Sequence, residues 1–456
     1  MTATPRATAN GPIYASGEST IEVLFIHPSY PSQFTAIAAE LNRRPGYRCT
    51  GLTGQVFLPA VPAESDVVYY GFASDGQVTD QTYPFAGSFE AGMRNARGIA
   101  NALLTIPRNA RYDVVIGHAS FGSSLYLGPL LDSAIIAYGE LPGYQAAAAR
   151  PCFPLTVDQA LAGQSLEALH YLAMLQADLC IVPSAHARSL YPAELQPKIR
   201  VQMEGFDAGT IPDGSRSTRQ ALGLPADRPI VGFFSRTLEA VRGFDIFLRV
   251  AHRLHEMAPE VAFVVIGEER TLYGNETAYL DGKSFKEFAL AQTGVPAELF
   301  HWYPLLPYER FREYVACLDL VILPLFEGAA NWSVFEAMAL GRPILASNRC
   351  FVPEAIRHGR DGMLLAPYDV EGYARHALAL LRDRRRARLL GRSAQERVRQ
   401  KFSVARAADG YQRIIEEVLR QRRESPVANA VVSRVQRTVQ AAENKNGGVK
   451  SNGAAF

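Results

Sequence analysis

Glu327 and Glu336 stand nine residues apart in LPLFEGAANWSVFEAMALGRPILAS, Leu323 to Ser347, on either side of a run of small residues. An ionised carboxylate only accepts hydrogen bonds, so each suits a partner rich in hydroxyls, such as a ribose diol or a sugar. The preceding LDLVILPL reads as a buried strand, and WSVFEAMALG as a helix stopped by Gly341 with Pro343 just beyond. A helix that begins at the carboxyl end of a strand aims free N–H groups and the positive end of its dipole outward, which suits a diphosphate. The same residues also fit a purely structural role, because Ser333-x-x-Glu336 is a capping-box pattern.

A second cluster bears on that choice. GFFSRTLEAVRGFDIFLRVA places Arg236 at a strand end and Arg242 just before Gly243 and the next helix. Two guanidinium groups there would neutralise a pyrophosphate, since the arginine fork matches phosphate oxygens. Either arginine alone would be read as solvated; the pair gains meaning from its company with the Glu336 helix.

The elements that must position these groups alternate. Short β-branched runs at 21–28, 112–120, 134–141, 178–184 and 198–207 read as strands. Helical spacing fills SQFTAIAAELNRR, SFEAGMRNARGIANALLTI, SSLYLGPLL and LTVDQALAGQSLEALHYLAMLQA. A Gly-, Pro- and Asp-rich stretch at 207–229 reads as a linker with one short helix. Alternation then resumes, with strands at IVGFFSR, VAFVVIGE, LFHWYP, LDLVILPL, PILAS and GMLLAP, and helices at FDIFLRVAHRLHEMA, YERFREYVAC, VFEAMALG, FVPEAIRHG and 370–402. The expected architecture is α/β, two doubly wound Rossmann-like domains facing a cleft. The boundaries are 1–20 for a flexible leader, 21–207 and 208–424 for the two domains, and 425–456 for a polar, disordered tail; the last helix of the second domain is expected to cross back to the first.

Composition narrows the function classes. A net charge of +2 gives no global field for nucleic acid. The five cysteines are scattered and form no C-x-x-C pair, which argues against a disulfide framework or a zinc site and favours a cytoplasmic setting. No apolar run approaches the ~20 residues that span a bilayer. The basic 382–401 segment reads as a solvated helix face, with peripheral contact to anionic lipid as the alternative.

SRTLEAVRGFDIFL, taken with FEGAANWSVFEAMALGRPILASNRCFVPEAIRHGRDGMLLAPYD, resembles the carboxyl-terminal domain of retaining GT-B glycosyltransferases of the family-4 type, with their E-x7-E motif ahead of A-M-A-x-G-x-P-V. QMEGFD resembles the strand end at that family's domain junction, and VLFIHPSYPSQF with DVVIGHASFG resembles a bacterial branch with a His-x-x-x-Pro-x-Gln-Phe segment. The likeness covers roughly residues 20–420. It implies transfer of a sugar from a nucleotide-diphosphate sugar to an acceptor hydroxyl, with leaving-group charge met by Arg236, Arg242 and the helix amino terminus, so that neither a metal nor another cofactor is needed.

Carried over residue by residue, the likeness puts the backbone of Ser333 and Val334 on phosphate, Glu336 on the ribose, Tyr303 and Pro304 beside the base, and His118 and Glu327 at the donor sugar. His27, Tyr30 and Gln33, on the first loop, and Glu140 and Tyr144, after a later strand, fall on the acceptor side. The chain departs from the pattern in three ways: Arg242 replaces a lysine, the two glutamates are one residue further apart, leaving Glu327 or Gly328 for the sugar-facing position, and the bulky Trp332 precedes Ser333. A nucleotide-sugar epimerase on the same plan and a non-catalytic binding subunit are the alternatives.

Overall fold

The computed structural model describes residues 20–106, 111–128, 130–142, 150–207, 209 and 211–424. Apart from Thr20, the leader and the tail lie outside them.

The described residues form two all-parallel sheets. The first contains β1 (Ile21–His27), β2 (Tyr47–Gly54), β3 (Val68–Phe72), β4 (Val114–His118), β5 (Ala134–Tyr138), β6 (Leu179–Val182) and β7 (Ile199–Val201), in the order β3-β2-β1-β4-β5-β6-β7. Its helices are α1 (Phe34–Asn42), α2 (Gly87–Thr105), α3 (Val157–Gln176) and α4 (Ala185–Ser189). After α5 (Arg216–Ala221) comes the second sheet: β8 (Ile230–Thr237), β9 (Ala262–Glu268), β10 (Phe300–Tyr303), β11 (Leu320–Leu323), β12 (Ile344–Ser347) and β13 (Met363–Leu365), in the order β10-β9-β8-β11-β12-β13. Around it run α6 (Phe244–Met257), α7 (Phe285–Thr293), α8 (Tyr308–Ala316), α9 (Trp332–Ala339), α10 (Val352–Ala355), α11 (Val370–Arg382) and α12 (Arg384–Arg397).

Burial on both faces explains the strand sequences. β4, VVIGH, is buried at every position, as a central parallel strand must be. Along β1 the side chains alternate between two cores: Leu24 and Ile26 join α2 and α3, while Val23 and Phe25 face α1. The second of these cores is closed by α13 (Val404–Glu424), whose Ala408, Tyr411 and Ile415 pack against β1 and β5. The described chain thus returns to the first sheet after completing the second. The crossing is tight: Phe206 N–H donates to the Phe402 carbonyl at 2.6 Å. Gly205, at φ +84°, lies where a Cβ would come within 2.7 Å of Val404 Cα.

Several elements differ from expectation. β2 and β3 were not anticipated, because YRCTGLTG and VYYGF interleave Thr, Tyr and Gly with few aliphatics. Gly51 is required there by the Tyr69 ring lying over it. SSLYLGPLL forms turns where a helix was expected, since Gly122 and Tyr126 take φ of +69° and +58°. FVPEAIRHG yields only the single turn of α10, and α7 was not foreseen.

Candidate active site

In both sheets the strand order reverses beside the first strand, between β1 and β4 and between β8 and β11, and such switch points open a crevice at the carboxyl ends of the strands. A cleft of about 780 Å3 lies there, lined from both sheets.

The wall from the first sheet is built on His27 at the end of β1 and His118 at the end of β4, whose rings stand 5.4 Å apart. Ser120 N–H donates to His118 Nδ1 at 3.3 Å, and a neutral ring that accepts at Nδ1 carries its proton on Nε2. His27 Nδ1 lies 3.1 Å from both the N–H and the carbonyl of Ser29 and 3.0 Å from its Oγ, so either nitrogen of that ring can carry the proton. Neither Nε2 has a partner among the described residues, and both atoms are buried. Burial holds His27 down to about 4 and His118 well below the ordinary histidine value, with the neighbouring imidazoles adding to the His118 effect. Both therefore stay neutral near pH 7. Glu140, past the end of β5, accepts from Gln33 Nε2 at 3.2 Å, and burial raises its carboxyl above the usual range, offset in part by Gln33 and Arg242.

The opposite wall carries Arg236 and Arg242. Arg236 is exposed at the end of β8. Arg242 sits in a 3-10 turn whose last carbonyls lead into α6 through Gly243, at φ +74°, where a Cβ would meet the Pro324 carbonyl at 2.1 Å. Its guanidinium lies 4.9 Å from the centre of the Tyr273 ring and 3.7 Å from Glu239 Oε1. Glu239 is fully buried, and its Oε2 accepts from the N–H groups of Leu272, Tyr273 and Gly274 at 3.0, 2.9 and 3.0 Å. One carboxylate thus ties the arginine turn to the loop that bears Tyr273.

Several expected site residues stand elsewhere. Glu327 does not line the cleft: its Oε1 lies 2.6 Å from His186 Nε2 and accepts from Gly328 N–H at 2.8 Å, so the cleft wall passes to Gly328, Ala329 and Ala330. Ser333 is not the cap of α9. Asn331 is, with its Oδ1 accepting from Ser333 N–H at 2.9 Å and its carbonyl from Val334 N–H at 3.1 Å. The two N–H groups assigned to phosphate are therefore already engaged, although Ser333 lines the cleft.

Glu336 takes no part in a capping box. It is 4% exposed, hydrogen-bonds to Tyr308 and is raised by burial to about 7, behind the cleft lining. Tyr303 packs its ring against Tyr314, and Pro304 is exposed beside it at the end of β10. Tyr30 packs on Tyr69 rather than lining the cleft, and Tyr144 lies outside the described residues.

Sequence reading missed Asn95, Phe121, Ser120 and His170, all on the cleft wall. Ser120 Oγ and His170 Nε2 are 2.5 Å apart. A polar residue at one face of an apolar helix was the signal available for His170 and Asn95, and it is too common to act on alone.

A family model described as glycosyl transferase family 4 group matches residues 53–211, and one described as glycosyl transferases group 1 matches 228–383. Together they take in well over half of the chain. It belongs to the family 4 glycosyltransferases. This glycosyltransferase is 28% identical over 334 residues to alpha-maltose-1-phosphate synthase of Mycolicibacterium smegmatis, a match covering 70% of this chain and 82% of that one. It is 29% identical over 222 residues to D-inositol 3-phosphate glycosyltransferase of Nocardia farcinica, covering 48% of each. The chain thus spans about half the length of that second relative.

Among solved structures, sucrose-phosphate synthase from Thermosynechococcus elongatus superposes with a TM-score of 0.69 at 14% identity, covering 88% of this chain and all of that one. Anabaena HepE in complex with UDP and glucose gives 0.63 at 18%, covering 87% and 100%. These likenesses show the GT-B fold.

The two halves of the glycosyltransferase touch past the ends of the paired strands β6 and β7. Near the crossing, Glu204 Oε2 accepts from Tyr138 Oη at 3.1 Å and its Oε1 from Trp332 Nε1 at 3.2 Å, joining β5, the junction strand and α9. Burial raises this carboxyl to about 7. Past the neighbouring β6 the N–H groups of Ala185 and His186 donate to the two oxygens of Glu354, each at 2.8 Å, and Ser184 Oγ donates to the Ala329 carbonyl at 2.5 Å.

Proposed function

We infer that this glycosyltransferase moves a sugar from a nucleoside diphosphate sugar to an acceptor hydroxyl with retention of anomeric configuration, in the building of a glycan or glycoconjugate. The observation that carries this is the cleft itself: two arginines at the switch point of one sheet face two neutral imidazoles at the switch point of the other. Arg236 and Arg242 suit the diphosphate, each through charge-assisted hydrogen bonds that strengthen as charge develops on the leaving oxygen. His118 Nε2–H suits a hydroxyl of the donor sugar. Glu336 and Tyr308, with Tyr303 and Pro304 at the neighbouring strand end, fit the ribose and base. For the backbone of Ser333 and Val334 to meet phosphate, the Asn331 cap would have to yield.

In front-face transfer the bond from the anomeric carbon to the diphosphate oxygen breaks while the acceptor oxygen bonds to the same face. The acceptor proton passes to the departing phosphate oxygen. The relatives' names, with inositol phosphate and maltose phosphate chemistry, and the UDP in the HepE complex support this class of reaction and make UDP the first diphosphate to try.

No helix among the described residues is long and apolar enough to cross a membrane. We place the enzyme in the cytoplasm, with the exposed arginines of α12 around Leu389 as the face that would rest on anionic lipid.

The test is incubation with uridine, guanosine, adenosine and thymidine diphosphate sugars, followed by NMR. Slow release of the free sugar with its anomeric configuration kept is the expected result. Isomerised nucleotide sugar, or binding with no turnover even with an acceptor extract present, would contradict the reading.

A further inference from the structure

Resting on that reading, we propose that the acceptor is an uncharged saccharide or polyol, and that this cleft excludes phosphorylated acceptors. The acceptor half of the cleft is the part walled by the first sheet: the β1 loop, the first turns of α2, the loop after β4, Glu140 and α3. Among the described residues it has no lysine or arginine in its lining. Both lining arginines come from the second sheet, where the donor diphosphate takes them.

Nor do the histidines supply charge. Burial lowers His27 and His170 to about 4 and holds His118 lower than its usual value, so all three are neutral near pH 7. The one ionisable acid in that wall is Glu140, and the first turn of α2 bears an acid, Glu90, not a base. The net charge offered to an acceptor is therefore zero or negative, with Arg242 near enough to Glu140 to offset it only once. A phosphate monoester brought in here would leave water next to a carboxylate, with Arg242 already taken by the donor diphosphate. That is the arrangement by which a site rejects a ligand.

What the wall does offer suits a sugar. Phe121 is 39% exposed, a partly open aromatic face beside His27 and His118. Ser88, Ser120, Asn95 and Gln33 stand around it with hydroxyl and amide groups. An apolar platform ringed by neutral donors and acceptors, plus one carboxylate for a hydroxyl, matches a saccharide's C–H face and its edge of hydroxyls. The relatives' names include acceptors or products that carry phosphate, so this chain would differ from them in acceptor charge.

The experiment uses the full chain saturated with UDP, or with whichever of the guanosine, adenosine and thymidine diphosphates binds instead. Saturation-transfer NMR then compares glucose, maltose and myo-inositol with glucose 6-phosphate and inositol 3-phosphate. At least one neutral compound is expected to bind, about tenfold or more tighter than its phosphate ester. Phe121→Ala should abolish that signal. Glu140→Gln should narrow the gap between a sugar and its ester. A phosphorylated compound binding as well as or better than its neutral parent would overturn the proposal. So would the binding of neither class by a protein that holds the nucleotide. Failure of every diphosphate to bind would instead strike the transferase reading beneath it.

Discussion

His118 shows how much a single ring depends on its surroundings. Its Nδ1 is occupied by Ser120 N–H, burial keeps it neutral, and its Nε2–H is left for a ligand. Replacing it with alanine should lower kcat by about 10^2-fold or more while leaving the affinity for the bare nucleoside diphosphate nearly unchanged, the pattern of an interaction made mainly in the transition state. Steady-state kinetics with calorimetry on one preparation checks this; normal turnover in a folded variant would remove the residue from the chemistry.

Glu204 supports a different kind of expectation. Its carboxyl is raised from 4.5 to about 7 by burial. A raised pKa means that the folded state holds the proton more tightly than the unfolded one, so the stability it contributes is full below about 4.5 and lost as pH rises through about 7. Urea titrations at pH 5 and pH 7.5 should show the wild type losing stability over that range. Glu204→Gln, which cannot titrate, should lose on the order of 1–3 kcal/mol less. Equal losses would mean that this carboxyl is ionised throughout.

At the scale of elements, α9 is the piece on which sequence and structure meet least simply. Its existence, its strand and its stop at Gly341 were legible from apolar spacing and a glycine–proline ending. Its start was not. Asn331 competes with Ser333 for the cap, and a two-residue shift decides which N–H groups are free. Local sequence cannot settle that, because the choice depends on where Trp332 finds its partner, Glu204, which lies 128 positions away. The choice between Glu327 and Gly328 was open for a similar reason: His186, which lies against Glu327, comes from the other half of the chain.

By contrast, Arg236, Arg242, His27 and His118 were legible because strand ends at a switch point are fixed by topology, and topology follows from the alternation of elements. Asn331→Ala should cost the free protein about 0.5–2 kcal/mol by thermal unfolding. If the cap gives way to phosphate, saturating nucleotide should shrink that difference; a constant difference would show that the cap persists in the complex.

For the molecule as a whole, the contacts of Ser184, Ala185 and His186 with Ala329, Glu354 and Glu327 join the two halves past the end of β6. Removing the Glu354 carboxylate strips two charge-assisted hydrogen bonds, each worth roughly 1.5–3 kcal/mol. Glu354→Ala should therefore increase the radius of gyration of the free protein in solution scattering and raise KM for the acceptor, with the fold intact by circular dichroism. An unchanged radius and KM would mean that these contacts do not govern closure.

Closure matters because donor and acceptor groups come from different sheets, and only the closed cleft brings them together and sheds water. Both arginines proposed for the diphosphate come from one sheet, and on them the functional reading stands. Its most direct test is calorimetric titration of UDP, and of the other three diphosphates, into the wild type and into Arg236→Ala, Arg242→Ala and Arg242→Lys. One diphosphate should bind the wild type, each alanine variant should bind it about 10- to 100-fold more weakly, and Arg242→Lys should retain most of the affinity. Undiminished binding in both alanine variants would contradict the placement of the diphosphate, and with it the account of this cleft as the seat of glycosyl transfer.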